Sequence, residues 1–206
     1  MLKAVKIILI LILSLSTLFL SSCSGNPPEL DTVKDRLIEL IDASAEINDI
    51  FFGEGLPVYE RDGEFAKETG IYDNVEAALD IYEMVSADCE YLTIDSIKMA
   101  AEKVYSRDYL ESVYEMAFSG YADTNTGNVT SARYFETGDW LFKNTLFEPF
   151  DLLEREYLYD SLEIIKPSSA DYINISIDCL VGEETEAITL SFILQDGEWL
   201  LDSPTY

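Results

Sequence analysis

The spacing of apolar residues changes period along this chain, and that change restricts the fold more than any other feature. Leu30, Val33, Leu37, Leu40, Ile41, Ile47 and Phe51 fall mostly three or four apart, which predicts one long helix over residues 30–51 with a single apolar stripe. Gly53, Gly55 and Pro57 stop it. In the last third the period is two. Ile173, Ile175, Ile177, Cys179 and Val181 share one face of a strand, and Ile188, Leu190, Phe192 and Leu194 share a face of the next. Asp196-Gly197 then separates residues 187–195 from 198–201 and is a two-residue hairpin signal. Helices first and antiparallel strands afterwards define an α+β class, with the helices packed on one face of a sheet.

The middle of the chain reads less evenly. Residues 58–72 are polar and glycine-punctuated, a loop. In residues 73–86, Asp73 and Glu76 resemble a capping box, yet residues 81–85 suit a strand equally well. Thr93 is the expected N-cap of a helix to residue 105, and Ser106 that of another to residue 118, which Gly120 stops. Thr137-Gly138-Asp139 separates residues 132–135 from 140–143, a second hairpin. Alternation there puts Trp140 and Phe142 on one face and Leu141 on the other, so both faces are apolar and the strand is expected to be covered. Residues 147–157 have room for one short helix. Trp199, after the last turn, is expected against the long helix near Leu37 or Ile41.

Charge and composition exclude several function classes. Thirteen basic against 40 acidic residues give a net charge of -27. Such a surface is repelled by nucleic acid and by anionic lipid, and favours basic partners, cations or simple solubility. There is no histidine, which removes Ser-His and Cys-His catalysis and the commonest metal ligand. No metal or cofactor is expected, and catalysis by paired carboxylates needs two of them facing one cleft, which spacing does not show. Asp123-Thr124-Asn125-Thr126-Gly127-Asn128 begins like a calcium loop, but Gly127 stands at the fifth position and Tyr134 at the twelfth, so a polar loop is expected. Cys89 and Cys179 leave a disulfide open, although Cys179 fits a buried small hydrophobe on its strand.

Lys3 and Lys6 precede an apolar run from Ile7 to about Leu20, followed by Ser21-Ser22-Cys23. This is the pattern of an export signal. It resembles the lipobox of bacterial lipoproteins, which implies removal of residues 1–22, lipidation of Cys23 and an extracytoplasmic location, anchored to the membrane. The alternative is an uncut single-span anchor, but the run falls short of the roughly 20 apolar residues that a span needs. Residues 23–29 then form a lipidated tether, and residues 30–206 a single domain.

Two further resemblances concern that domain. The helices, the hairpin and a final meander ending in Asp196-Gly197-Glu198-Trp199 are similar to the cystatin-like and nuclear-transport-factor-like folds. In those, a curved antiparallel sheet wraps a long N-terminal helix as a cone. Tyr91-Leu92-Thr93, Arg107-Asp108-Tyr109, Arg133-Tyr134-Phe135-Glu136 and Trp140-Leu141-Phe142 resemble the arrangement in bacterial DL-endopeptidase-inhibitor proteins. That likeness implies a non-catalytic partner of a cell-wall hydrolase or another envelope protein. A small-ligand module with a pocket in the cone is the alternative. The candidate binding residues are Gly53, Glu54, Gly55 and Leu56 after the long helix, with Tyr134 and Trp140 of the hairpin. The loop of residues 121–130 is a further candidate for docking into an enzyme cleft.

Overall fold

The structure is a computed structural model that describes residues 25–73, 80–122, 129–150 and 152–206. The signal segment and Cys23, part of the ambiguous stretch 73–86, and residues 123–128 of the calcium-like loop lie outside the described residues. Among these residues no helix is long and apolar enough to cross a membrane.

The long helix is α1, Leu30–Phe52, and its apolar stripe points inward through Val33, Leu37, Leu40, Ile41, Ile47 and Phe51. Against that stripe lies a four-stranded antiparallel meander in the order β6-β7-β8-β9. Its strands are Glu156–Ile165 (β6), Tyr172–Val181 (β7), Glu184–Gln195 (β8) and Glu198–Leu201 (β9). Ile173, Ile175, Ile177 and Cys179 of β7 are fully buried, so the alternation expected there holds. Each such side chain contributes about 1.5–3 kcal/mol through burial. On β8 the buried pair is Leu190 and Phe192, while Leu194 is exposed near the turn. Asp196 and Gly197 both have positive φ, as a type I′ turn requires, and Leu194 pairs with Trp199 across it. The class is therefore α+β, a long helix and further helices packed on antiparallel sheets.

Trp199 is only half-buried. The neighbouring Leu200 and Leu201 take the buried places on β9, and the Trp199 carbonyl accepts from Arg36 Nε at 3.3 Å. The C-terminus is tied into the same core. Thr205 Oγ1 lies 2.7 Å from both Ser44 Oγ and Asn48 Nδ2, and Tyr157 OH donates to Thr205 O at 2.6 Å. Cys179 and Cys89 are free, which removes the disulfide alternative.

The remaining elements frame a smaller sheet. Residues 58–72 are not all loop: Glu64–Thr69 forms a short helix, α2, bracketed by Gly63 and by Gly70 in the left-handed region. Phe65 stacks on Tyr59 with centroids 4.0 Å apart, which holds that turn in place. Tyr82–Met84 is strand β1, so the strand reading suits that stretch. Thr93 and Ser96 cap α3, Ile94–Ala101, reciprocally, and Ser106 caps α4, Arg107–Tyr114, which runs into a π-helical turn over Glu115–Ser119. Tyr121–Ala122 (β2) pairs with Val129–Thr130 (β3). Tyr134–Thr137 (β4) and Trp140–Asn144 (β5) form the expected hairpin, and β1 joins it in the order β1-β5-β4. The described residues 147–150 and 152–155 are not helical. Pro149 interrupts them, and the Phe150 amide instead donates to Phe52 O at the end of α1, 2.7 Å away.

Candidate functional site

The residues that follow α1 are held from within. Gly55 has φ +73, and the chain there turns back over the start of the hairpin. Arg133, only 1% exposed, sends its guanidinium under this turn: Nε donates to Ile50 O at 2.8 Å and Nη2 to Gly53 O at 2.6 Å. Both acceptors lie at the C-terminal end of α1, where the helix dipole is negative and a cation is favoured. Tyr134 OH donates to Ile50 O and accepts from the Leu56 amide, both at 3.0 Å. Burial pushes the Tyr134 hydroxyl above its ordinary pKa. Lys143 Nζ donates to Glu54 O at 3.0 Å, and burial, then the neighbouring Arg133 charge, holds its ammonium below the usual lysine range. The end of α1 and the loop after it are thus fixed by four donors from Arg133, Tyr134 and Lys143 and by the Leu56 amide donating to Tyr134 OH, and the loop is preorganised.

Preorganised is not the same as exposed. Of the candidate binding residues, Gly53, Leu56 and Tyr134 are buried, Gly55 is half-buried, and only Glu54 and Trp140 face solvent. Tyr134 and the loop lie together through the bonds just described. Trp140 is not with them: it pairs with Thr137 at the hairpin tip, 50% exposed, whereas Tyr134 pairs with Lys143. Leu141 and Phe142 are buried, so the strand is covered on both faces except at its first residue.

The structure adds two surfaces. The connection from β5 to β6 carries Leu146, Phe150 and Leu153, respectively 70%, 48% and 48% exposed. Phe150 stacks on Phe52 at 5.6 Å, and Phe147 lies 4.2 Å beneath the Arg133 guanidinium, so this apolar strip shares the end of α1 with the loop. The second surface is a cleft of about 950 Å³ between α1, α3 and the β8–β9 turn. Leu40, Ile47, Val104 and Leu200 line it, and Glu46, Glu90 and Glu102 are among its acidic residues. Tyr91 OH donates to Glu46 at 3.1 Å; burial, then this carboxylate, pushes its pKa up to about 12.

Sequence reasoning passes over both. The strip is legible only as Leu146-Phe147 and Phe150 around Pro149, too dense in apolar residues for a solvated connection. The cleft has no sequence signal, because its walls come from distant segments. Among the described residues no group of three or more metal-ligating side chains is placed to hold an ion. Comparison with protein-family models and with curated proteins returns no match for this chain.

Proposed function

We propose that this chain is a non-catalytic, extracytoplasmic lipoprotein, anchored to the membrane through Cys23, whose domain binds a protein partner at the cell envelope. The partner class that the inhibitor-family likeness suggests is a cell-wall peptidase, held in an inhibited complex. The observation that carries a protein partner over a small ligand is the contrast between interior and surface. Leu37, Ile97, Ile173, Ile175, Ile177 and Phe192 are each 0% exposed, so the space between helices and meander is filled with side chains. Large apolar groups instead stand outward at Leu146, Phe150 and Leu153, beside a rigid loop. Exposed apolar clusters of this kind mark protein contacts, and a preorganised loop loses little entropy on docking.

The test is hydrolysis of purified peptidoglycan by DL-endopeptidases of the same cell, with and without residues 24–206. Inhibition at micromolar domain, weakened by added salt, supports the reading. If no enzyme is inhibited and no complex forms at low salt, the small-ligand alternative replaces it.

A further inference from the structure

We infer that the β6–β7 end of the domain is a membrane-contact face, whose cleft beside the tether meets the headgroup boundary of the phospholipid bilayer that carries the anchor. This rests on the lipidation of Cys23 proposed above and adds how the domain is oriented on the bilayer. The tether is packed on the domain. Gly25 lies so close to the connection between β6 and β7 that a Cβ on it would sit 2.7 Å from Ala170 Cβ. Pro27 then walls a cleft of about 630 Å³ with Ile164, Ile165, Lys166 and Pro167. Only two peptide steps separate Gly25 from Cys23, at most about 7 Å of extended chain. A lipid on Cys23 therefore holds this cleft close to the bilayer surface.

The cleft has the chemistry of an interfacial anchor. Ile164 and Ile165 are half-buried in its walls, and Pro27 and Pro167 are exposed. Lys166 is exposed and makes no ion pair or hydrogen bond among the described residues. Its ammonium, on an apolar stem, can lie over such a wall and reach a lipid phosphate, as lysines at membrane boundaries do. The shape is fixed before contact. Ser168 Oγ donates to Ile165 O at 2.6 Å and accepts from the Asn174 amide at 2.9 Å, and Leu194 N donates to Asp171 O at 2.8 Å. A rigid surface loses little entropy on contact. Glu29, Glu163 and Asp171 are exposed nearby in the chain, so zwitterionic lipid fits this face better than anionic lipid. Phe150 N bonds to Phe52 O at the other end of α1, whose 23 residues span about 34 Å. Bilayer and protein partner can therefore be held at opposite ends of one helix.

The experiment reconstitutes the full lipidated chain in phosphatidylcholine vesicles containing a phosphatidylcholine with a diazirine near the top of its acyl chain. Intact mass first reads the lipid on Cys23. After irradiation, mass spectrometry of peptides should place cross-linked lipid on residues 163–168 at least about tenfold above residues 145–153, the ratio that about 1.4 kcal/mol of orientational preference gives. Residues 145–153 carry the more exposed apolar groups, so apolarity alone predicts the reverse. Pro27→Glu with Lys166→Glu changes two exposed side chains. The pair should cut labelling of residues 163–168 at least about fivefold, with the Cys23 lipid and the circular dichroism spectrum unchanged. Labelling spread equally over both segments means a domain that tumbles on its tether, and overturns the face. So does labelling of neither segment. Labelling of residues 163–168 that the double variant leaves unchanged is proximity to the anchor without contact, and also overturns it. A chain without lipid on Cys23 overturns the anchoring together with this inference, whereas the other failures leave the anchoring standing.

Discussion

Arg133→Met is the sharpest probe of how the loop after α1 is held. The guanidinium is buried with backbone carbonyls, not a carboxylate, as its hydrogen-bond acceptors. Methionine keeps most of the volume and deletes both donors. Gly53 O then loses the bond from Nη2, whereas Ile50 O keeps Tyr134 OH at 3.0 Å. Hydrogen bonds from a charged donor contribute about 1.5–3 kcal/mol each, and an orphaned buried acceptor costs about 1–3 kcal/mol. Against this, removing a desolvated cation returns part of its burial penalty, which is several kcal/mol in an apolar site. The helix dipole already offsets some of that penalty, so the lost bonds win, and Arg133→Met should cost about 2 kcal/mol. Arg133→Ala adds a cavity and should cost about 3–4 kcal/mol. Urea unfolding of residues 24–206, followed by circular dichroism, measures both, with an unchanged m-value. Tyr134→Phe in the same background should be non-additive, since both side chains donate to Ile50 O. An Arg133→Met domain as stable as the parent, or more stable, refutes the reasoning: the guanidinium then burdens the fold and the loop is held by packing alone.

At Gly55 a Cβ would sit 2.5 Å from both Arg133 Nη2 and Tyr134 OH, while at Gly138, also at positive φ, it meets nothing within 4 Å. Gly138→Ala should therefore cost only the left-handed penalty of about 1–2 kcal/mol, and Gly55→Ala clearly more, in the same urea assay; equal losses would sink the contact argument. Burial raises the pKa of Tyr91 and Tyr157 to about 12 and also raises those of Tyr105 and Tyr134. The folded state then keeps protons that the unfolded chain releases above about pH 10, so stability is full below that and falls as pH rises toward 12; Tyr157→Phe should flatten the fall. Cys23→Ser should accumulate as an unlipidated, uncut precursor, and trimming to the wild-type size would exclude lipidation at Cys23. The cleft beside the tether is lined by Pro27, Ile164 and Lys166, whereas Glu54 follows the far end of α1, whose 23 residues span about 34 Å. In lipid-anchored chain, a fluorophore at Lys166→Cys should be quenched by nitroxide lipid more than one at Glu54→Cys, in a Cys89→Ser background; equal quenching would refute that orientation.

Elements whose period is carried by their own residues are readable without a structure. The stripe from Leu30 to Phe51 and the alternation on β7 each bury one face against the other, so local pattern and tertiary packing agree. Thr93 and Ser106 are readable as caps because a side-chain oxygen meets an amide three residues on, a purely local bond. The misread segments are those where a distant partner decides. Residues after Phe147 have helix-like apolar spacing, but the Phe150 amide bonds to Phe52 O and Phe150 stacks on Phe52, which ties the segment to the end of α1. The short helix Glu64–Thr69 depends on Tyr59 receiving Phe65.

The same distinction explains the candidate site. A loop rich in glycine after a long helix reads as an exposed docking segment, and its rigidity is real, but the rigidity comes from burial. The bonds that fix residues 53–56, from Arg133 to Gly53 O, from Lys143 to Glu54 O and from the Leu56 amide to Tyr134 OH, require Arg133 and Tyr134 to lie underneath, and that turns Gly53 and Leu56 inward. What such a lock presents to a partner is its rim: Glu54 on one side and the Leu146, Phe150 and Leu153 strip at the same helix end. The cleft follows a complementary logic. Its walls come from α1, α3 and the β8–β9 turn, so no single segment carries its pattern, and its carboxylates are hidden in sequence among the 40 acidic residues. A net charge of -27 steers basic molecules toward the domain from a distance, but long-range charge alone fixes no orientation, which takes a rigid short-range contact such as the rim of this loop.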